Sequence, residues 1–221
     1  MNSALDKVGV YDFFGVLLSG MIVIVVSCCL DLPLMNLIAN VENDIVNAIL
    51  FLVGSFFLGL VLQEISSVLD KKVFKFRENA RCKFLNDENK IIGNKLELKS
   101  FRELANKILN KSNDNQVYSE TENEYVFYLC KIFLETHEKC DKANKINSLY
   151  AMSRSLIISM PLCLSAYYRY NIKSFSFSRQ DLVVIFIMAM LTVIFYKRAK
   201  RFAAYRVRVI LRQYKILNEK N

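Results

Sequence analysis

Two runs of eighteen residues without a charge, Phe13 to Leu30 and Ile45 to Leu62, constrain this chain more than any other feature. A helix needs about 20 mainly apolar residues to cross a hydrocarbon core of ~30 Å, and about 17 suffice. Both runs qualify. A third stretch, Leu149 to Tyr168, carries one charge, Arg154, near its start. It spans if that arginine lies at an interface, where its long stem can snorkel. A fourth, Leu182 to Tyr196, has fifteen residues. It spans with Asp181 and Lys197 at the two headgroup layers, or where the bilayer thins. The reading is an all-α protein: four transmembrane helices with a helical cytosolic extension. The expected divisions are 1–62 for the first two spans, 63–148 for a helical cytosolic region, 149–196 for the last two spans, and 197–221 for a basic cytosolic helix.

Composition supports apolar blocks separated by charged ones. Of 221 residues 53% are hydrophobic, yet 23% are charged and the net charge is +9. Six Gly and two Pro argue against collagen-like, low-complexity or turn-rich β architectures. Val25-Val26-Ser27-Cys28 looks like a lipoprotein cleavage box. The segment before it sets Lys7 and the amino terminus against Asp6 and Asp12, without the net positive charge that a signal peptide carries. An uncleaved membrane helix is expected.

Orientation follows from basic residues in short flanks. The loop Asp31 to Asp44 has no Lys or Arg and belongs outside, whereas the tail from Lys197 has nine against the single Glu219 and belongs inside. Four crossings then place both termini and the middle block in the cytosol. The loop from Arg169 to Asp181, with three basic residues, dissents mildly.

The middle block holds sixteen basic and fourteen acidic residues. Leu98, Phe101, Leu104, Ala105, Ile108 and Leu109 recur at helical spacing, and Ser100 with Glu103 reads as a helix start. Asn113-Asp114-Asn115 is a turn signal. From Ser119 the chain runs to Met160 without Pro or Gly, which predicts one long helix with Val126, Leu129, Cys130, Phe133 and His137 on a stripe. The second span is expected to continue through Leu69, Val73 and Phe76.

Little here points to catalysis. A single His leaves small room for histidine or zinc chemistry, and no nucleotide loop, nucleophile elbow or metalloprotease motif is present. The six cysteines lack the spacing of a secreted disulfide framework. Cys130, His137 and Cys140 lack a fourth metal ligand. No enzyme activity, cofactor or metal is expected.

Small residues recur four apart: Gly15 and Ser19, Ser55 and Gly59, and Ser155, Ser159 and Cys163. Such spacing lets helices approach closely, within one chain or between copies. Asn47, Gly54 and Ser55 near one face of the second span form a candidate pore lining. Pro161 predicts a kink or a gate in the third span. Asp12, Glu64 and Arg154 fall at the expected cytosolic interface, and Arg154 is expected to pair with Asp12 or Glu64.

The tail is the sharpest feature. At 100° per residue, Lys197, Lys200, Arg201, Arg208, Arg212 and Lys215 share one side of a helix, and Ala199, Phe202, Ala203, Val209, Ile210, Tyr214 and Leu217 the other. Arg206 alone lies on the apolar side, where it needs a buried partner or an anion. Two accounts stand. The tail anchors on anionic lipid, each basic residue adding ~1 kcal/mol. Or Arg201, Tyr205, Arg206, Arg208, Arg212 and Lys215 hold a phosphate-rich ligand, a nucleotide or short single strand, with Tyr205 and Tyr214 as stacking platforms.

Tyr11-Asp12-Phe13-Phe14-Gly15, Leu149-Tyr-Ala-Met-Ser-Arg-Ser-Leu156 and the Arg- and Tyr-rich helix after the fourth span form a layout that resembles the small multi-pass membrane effectors of bacterial anti-phage defence, of the Hailong type. The resemblance covers the layout of the whole chain and carries over only Arg154 and the basic tail. It implies an oligomeric, channel-like effector that depolarises the cell under control of a nucleotide-derived or oligonucleotide ligand made by a nucleotidyltransferase partner. The alternative is a non-conducting homo-oligomeric scaffold in the bilayer whose cytosolic helices dock another protein.

Overall fold

The computed structural model describes residues 10–29, 43–86, 91–111, 117–171 and 178–218, and no strand occurs among them. The loop 31–42, the turn signal at 113–115 and residues 172–177 of the loop 169–181 lie outside the described residues. Among the described residues seven α-helices follow in order: α1 Val10–Cys29, α2 Asp44–Leu69, α3 Phe76–Cys82, α4 Lys95–Leu109, α5 Glu120–Thr136, α6 Asp141–Asn171 and α7 Arg179–Asn218. A π-helical turn, Asp70–Phe74, follows α2.

The chain divides into two compact units. The first comprises 1–70 and 148–199, the second 71–147 and 200–221. Helices α6 and α7 each contribute residues to both.

In the first unit, α2, α6 and α7 are long and apolar enough to cross a membrane. Helix α1 has a shorter described apolar stretch, Gly15–Ser27. The least apolar of the three long helices is the most enclosed: 56% of the apolar window of α6 is buried, against 17% in α2 and 6% in α7. Serines explain this. Ser153, Ser155 and Ser159 return their hydroxyls to the carbonyls of Leu149, Ala151 and Ser155 in the preceding turn, so these polar atoms are buried without loss. Large side chains on α2 such as Ile45, Ile49, Phe57 and Val61 are exposed and suited to hydrocarbon.

Local chemistry sets the helix ends. Asn43 caps α2, its Oδ1 accepting the Ile45 N–H at 3.0 Å. Helix α7 begins with a reciprocal pair: Asp181 N–H donates to Ser178 Oγ at 3.2 Å and Ser178 N–H donates to Asp181 Oδ2 at 2.8 Å. From there α7 runs unbroken for 40 residues, so the expected fourth span and basic tail helix are one element.

Three expectations need correction in the second unit. Helix α4 starts at Lys95 under an Asn94 cap, and Ser100 lies inside it. Asn94 wins because its side chain accepts from Leu96 N–H while its backbone stays extended. The long helix from Ser119 is two helices, broken after Thr136 where Glu138 adopts φ 54°. His137 helps end α5, its Nδ1 lying 2.7 Å from the Phe133 carbonyl oxygen. Similarly, α2 does not continue through Phe76: the π turn intervenes and Lys75, at φ 50°, starts α3.

Val126, Phe127, Cys130 and Leu134 of α5 pack in a core with Phe84, Leu85, Phe101, Leu104 and Ala105. Of the expected stripe, Val126 and Cys130 are buried and His137 is exposed. The polar fastening is Asn123, fully buried: its Oδ1 accepts the Leu85 N–H at 3.0 Å, and its Nδ2 donates to the Ser119 carbonyl at 2.9 Å. Ser119 and Glu122 close a capping box beside it. Asn123→Ala strands the Leu85 N–H, and a loss of about 2–4 kcal/mol is expected in chemical unfolding of the purified chain. A loss below about 0.5 kcal/mol would remove Asn123 as the fastening.

Candidate functional site

Arg154 stands in the first unit on α6, in the segment Ser153-Arg154-Ser155, and is only 5% exposed. A guanidinium at that depth is costly unless its donors are satisfied. Its Nε donates to Ser66 Oγ at 3.0 Å, and its Nη1 lies 3.8 Å from Asp70 Oδ2. Its guanidinium carbon stands 5.4 Å from the Tyr150 ring centroid. Tyr150 in turn donates its hydroxyl to Asp70 Oδ2. Asp70, Tyr150 and Ser66 are all buried.

The expected pairing is therefore corrected at Glu64. Arg154 meets Asp70, one helical end further than Glu64, which is exposed on α2. The side chain of Asp12 lies outside the described residues. At Asp70 the α2 backbone passes into the π turn. Asp70 lies one turn beyond Ser66 on the face of α2 that buries Ser55, Gly59, Leu62 and Ser66, and Glu64 lies off that face.

Of the candidate pore lining, Ser55 is corrected. Ser55 is fully buried where α1 and α2 meet. A Cβ on Gly20 would fall 1.8 Å from the Ser55 carbonyl oxygen, and one on Gly59 would fall 2.0 Å from that of Val16. Gly54 faces Ile24 at ordinary contact distance, and Asn47 is half-buried near the start of α2. Ser159 of α6 reaches the Ser19 carbonyl at 3.4 Å, and Gly15 abuts Met152. The small residues join α1, α2 and α6 of one chain.

In the second unit the C-terminal half of α7 is largely a packed element. Ala203, Val207, Val209, Ile210 and Leu211 are buried, matching the apolar side expected around Ala203, Val209 and Ile210. Two expected ligand residues are occupied by the fold. Arg212 forms a two-pronged ion pair with Glu97, Nη2 donating to Oε2 at 2.8 Å, and this holds the Glu97 carboxyl below the usual carboxylate range. Lys215 donates to Ser100 Oγ. Tyr214 meets Phe133 edge-on at 5.0 Å, which makes it a packing residue rather than an open stacking platform.

The remaining expected ligand residues differ in setting. Arg201 is exposed, its guanidinium 5.8 Å from the Phe202 ring. Arg208 lies over Tyr205 at 5.6 Å. Arg206 sits on the apolar side of α7 with its Nε out of solvent and without a hydrogen bond. Burial, then the neighbouring charge of Arg77, pushes its pKa down to about 10, which still leaves it charged at neutral pH. Sequence reading missed Arg77, which lies far from the tail in the chain.

The nearby thiols are unreactive by setting: burial pushes Cys130 up to about 12 and also raises Cys140. No group of three or more His, Cys, Asp and Glu side chains placed to hold a metal occurs among the described residues. No protein-family model, curated protein or solved structure matches the chain.

Proposed function

We propose that this protein is an oligomeric membrane effector that forms a gated ion-conducting pore, depolarises the cell in anti-phage defence, and answers to a nucleotide-derived or oligonucleotide ligand in the cytosol. The observation that carries the reading is the continuity of α7: one 40-residue helix whose first half is apolar and whose second half bears the basic residues. A ligand that prefers one setting of the basic half biases the membrane half of the same helix, and only such a differential preference can gate. Helix α1 serves as a fourth span beside α2, α6 and α7, with both termini in the cytosol of an inner-membrane protein. The chain acts without catalysis, and a nucleotidyltransferase supplies the ligand.

The test is ion flux from liposomes holding the purified chain, with and without short single-stranded DNA. Flux that changes with the oligonucleotide is expected, with rapid loss of membrane potential in cells that express the chain without its regulator. Inserted, assembled protein with no flux in either condition would turn the reading to a non-conducting scaffold that docks a partner protein.

A further inference from the structure

Inside the first unit, α6 and α7 leave between them an open groove of about 450 Å³. Pro161, Leu164, Ser165 and Tyr168 of α6 line it, with Ile185 of α7. Pro161 has no N–H for the Ile157 carbonyl, so α6 presents a ring there in place of a ladder bond. Ser165 donates its hydroxyl to the Leu162 carbonyl at 2.8 Å, which leaves the lining almost wholly apolar. With 6% of its apolar window buried, α7 supplies one wall and no roof. The end where α6 stops and α7 starts is tied and charged. There the Tyr167 hydroxyl donates to Asp181 Oδ1 at 2.6 Å, joining the last turns of α6 to the first turn of α7. Arg169 lies one turn beyond Ser165 on the same face of α6, and Arg179 opens α7. Both arginines are exposed, and neither has an ion pair among the described residues. Asp181, the carboxylate at that end, is engaged by Tyr167 and by the Ser178 N–H at 2.8 Å. Basic residues here also run against the orientation that the tail sets, so orientation does not account for them.

We propose that this groove holds an acyl chain of an anionic phospholipid whose phosphate rests on Arg169 and Arg179. The two parts of such a lipid match the two parts of the site. Its chain fills an apolar groove that opens toward hydrocarbon, and its phosphate answers guanidinium donors at headgroup depth. A second copy of the protein fits the groove less well. Inserted the same way, it brings the same arginines to the same depth, where like charges repel. The site is independent of conduction, because it rests on the α6–α7 groove and its charged end alone.

The experiment uses the full chain in neutral detergent, titrated with phosphatidylglycerol or with phosphatidylcholine of the same acyl chains. Retained lipid is counted by native mass spectrometry. Tight, saturable retention of phosphatidylglycerol is expected, at least about tenfold tighter than that of phosphatidylcholine. Joint replacement, Arg169→Gln with Arg179→Gln, should remove that preference, each arginine accounting for about fivefold. Ser165→Trp fills the groove while leaving both arginines in place, and it should abolish tight retention of phosphatidylglycerol. Glycerol phosphate, a headgroup without a chain, should not displace the bound lipid. Lys200→Gln, past the other end of the span, should retain lipid as the parent does. The replaced side chains are all exposed, so each variant should match the parent's unfolding temperature in lipid-free detergent. The arginine pair decides even where Ser165→Trp lowers that temperature. Equal retention of phosphatidylglycerol by the parent and by the double arginine variant would overturn the proposal, as would no saturable retention by folded parent. Unchanged retention in Ser165→Trp with a smaller oligomer would also overturn it, and would assign the groove to a second copy.

Discussion

Gly20→Ala is expected to cost more stability than any other single-methyl change in α1, and Gly20→Leu to abolish accumulation of folded chain. The added Cβ would fall 1.8 Å from the Ser55 carbonyl oxygen, against backbone that cannot swing aside as a side chain does. The two helices must separate. Between membrane helices the attraction is close packing rather than expulsion of water, so separation removes most of what holds them. Ordinary overpacking costs about 1–3 kcal/mol, and a clash with backbone belongs at or above the top of that range. Gly59→Ala repeats the effect from the other side, its Cβ falling 2.0 Å from the Val16 carbonyl oxygen. Gly54→Ala is the control, since its Cβ would meet Ile24 at 3.6 Å. It should change stability by less than about 0.5 kcal/mol, the ordinary range for a substitution that meets no obstacle. Thermal unfolding of the three variants in one detergent checks this, and equal midpoints for Gly20→Ala and Gly54→Ala would mean that α1 and α2 do not approach so closely.

The second large effect is at Arg154. Replacing it by methionine leaves the Asp70 carboxylate buried with the Tyr150 hydroxyl but without a cation, and a loss of about 3–5 kcal/mol is expected. Pairing Arg154→Met with Asp70→Asn should recover more than half of that loss, because the stranded charge is then gone. Glu64→Gln should do nothing measurable, since Glu64 is exposed and stands apart from the pair. The readout is a double-mutant cycle in chemical unfolding. Additive losses for Arg154 and Asp70, or a cost at Glu64 equal to that at Asp70, would return the pairing to the sequence expectation.

These two sites show where sequence reading reaches its limit. The helical class, the apolar stretches and the two sides of the tail were legible because each depends on residues a few positions apart, whose burial follows the 3.6-residue period. Ala203, Val209 and Ile210 went to the buried side on that ground, and Arg206 was marked as anomalous by the same count. The break after Thr136 was not legible, because it rests on Glu138 at positive φ and on a His137 ring contact, with no Gly or Pro to announce it. The Ser178–Asp181 cap was written in the chain, but a fifteen-residue apolar run drew attention away from it.

What the sequence alone determined is the helical class and the apolar faces, since local spacing decides both. Only the tertiary structure decided who meets whom. Asp70 rather than Glu64 faces Arg154 because α6 packs on the face of α2 that carries Ser66 and, one turn on, Asp70. Ser55 serves a close helix contact rather than an open path because Gly20 lets α1 come within reach. Arg212 and Lys215 hold α4 through Glu97 and Ser100, because three-dimensional packing brings together residues that lie more than a hundred positions apart in the chain. A basic face read from periodicity cannot tell a cation bound to the fold from one left to bind something else. That distinction depends on where the other charges come to rest.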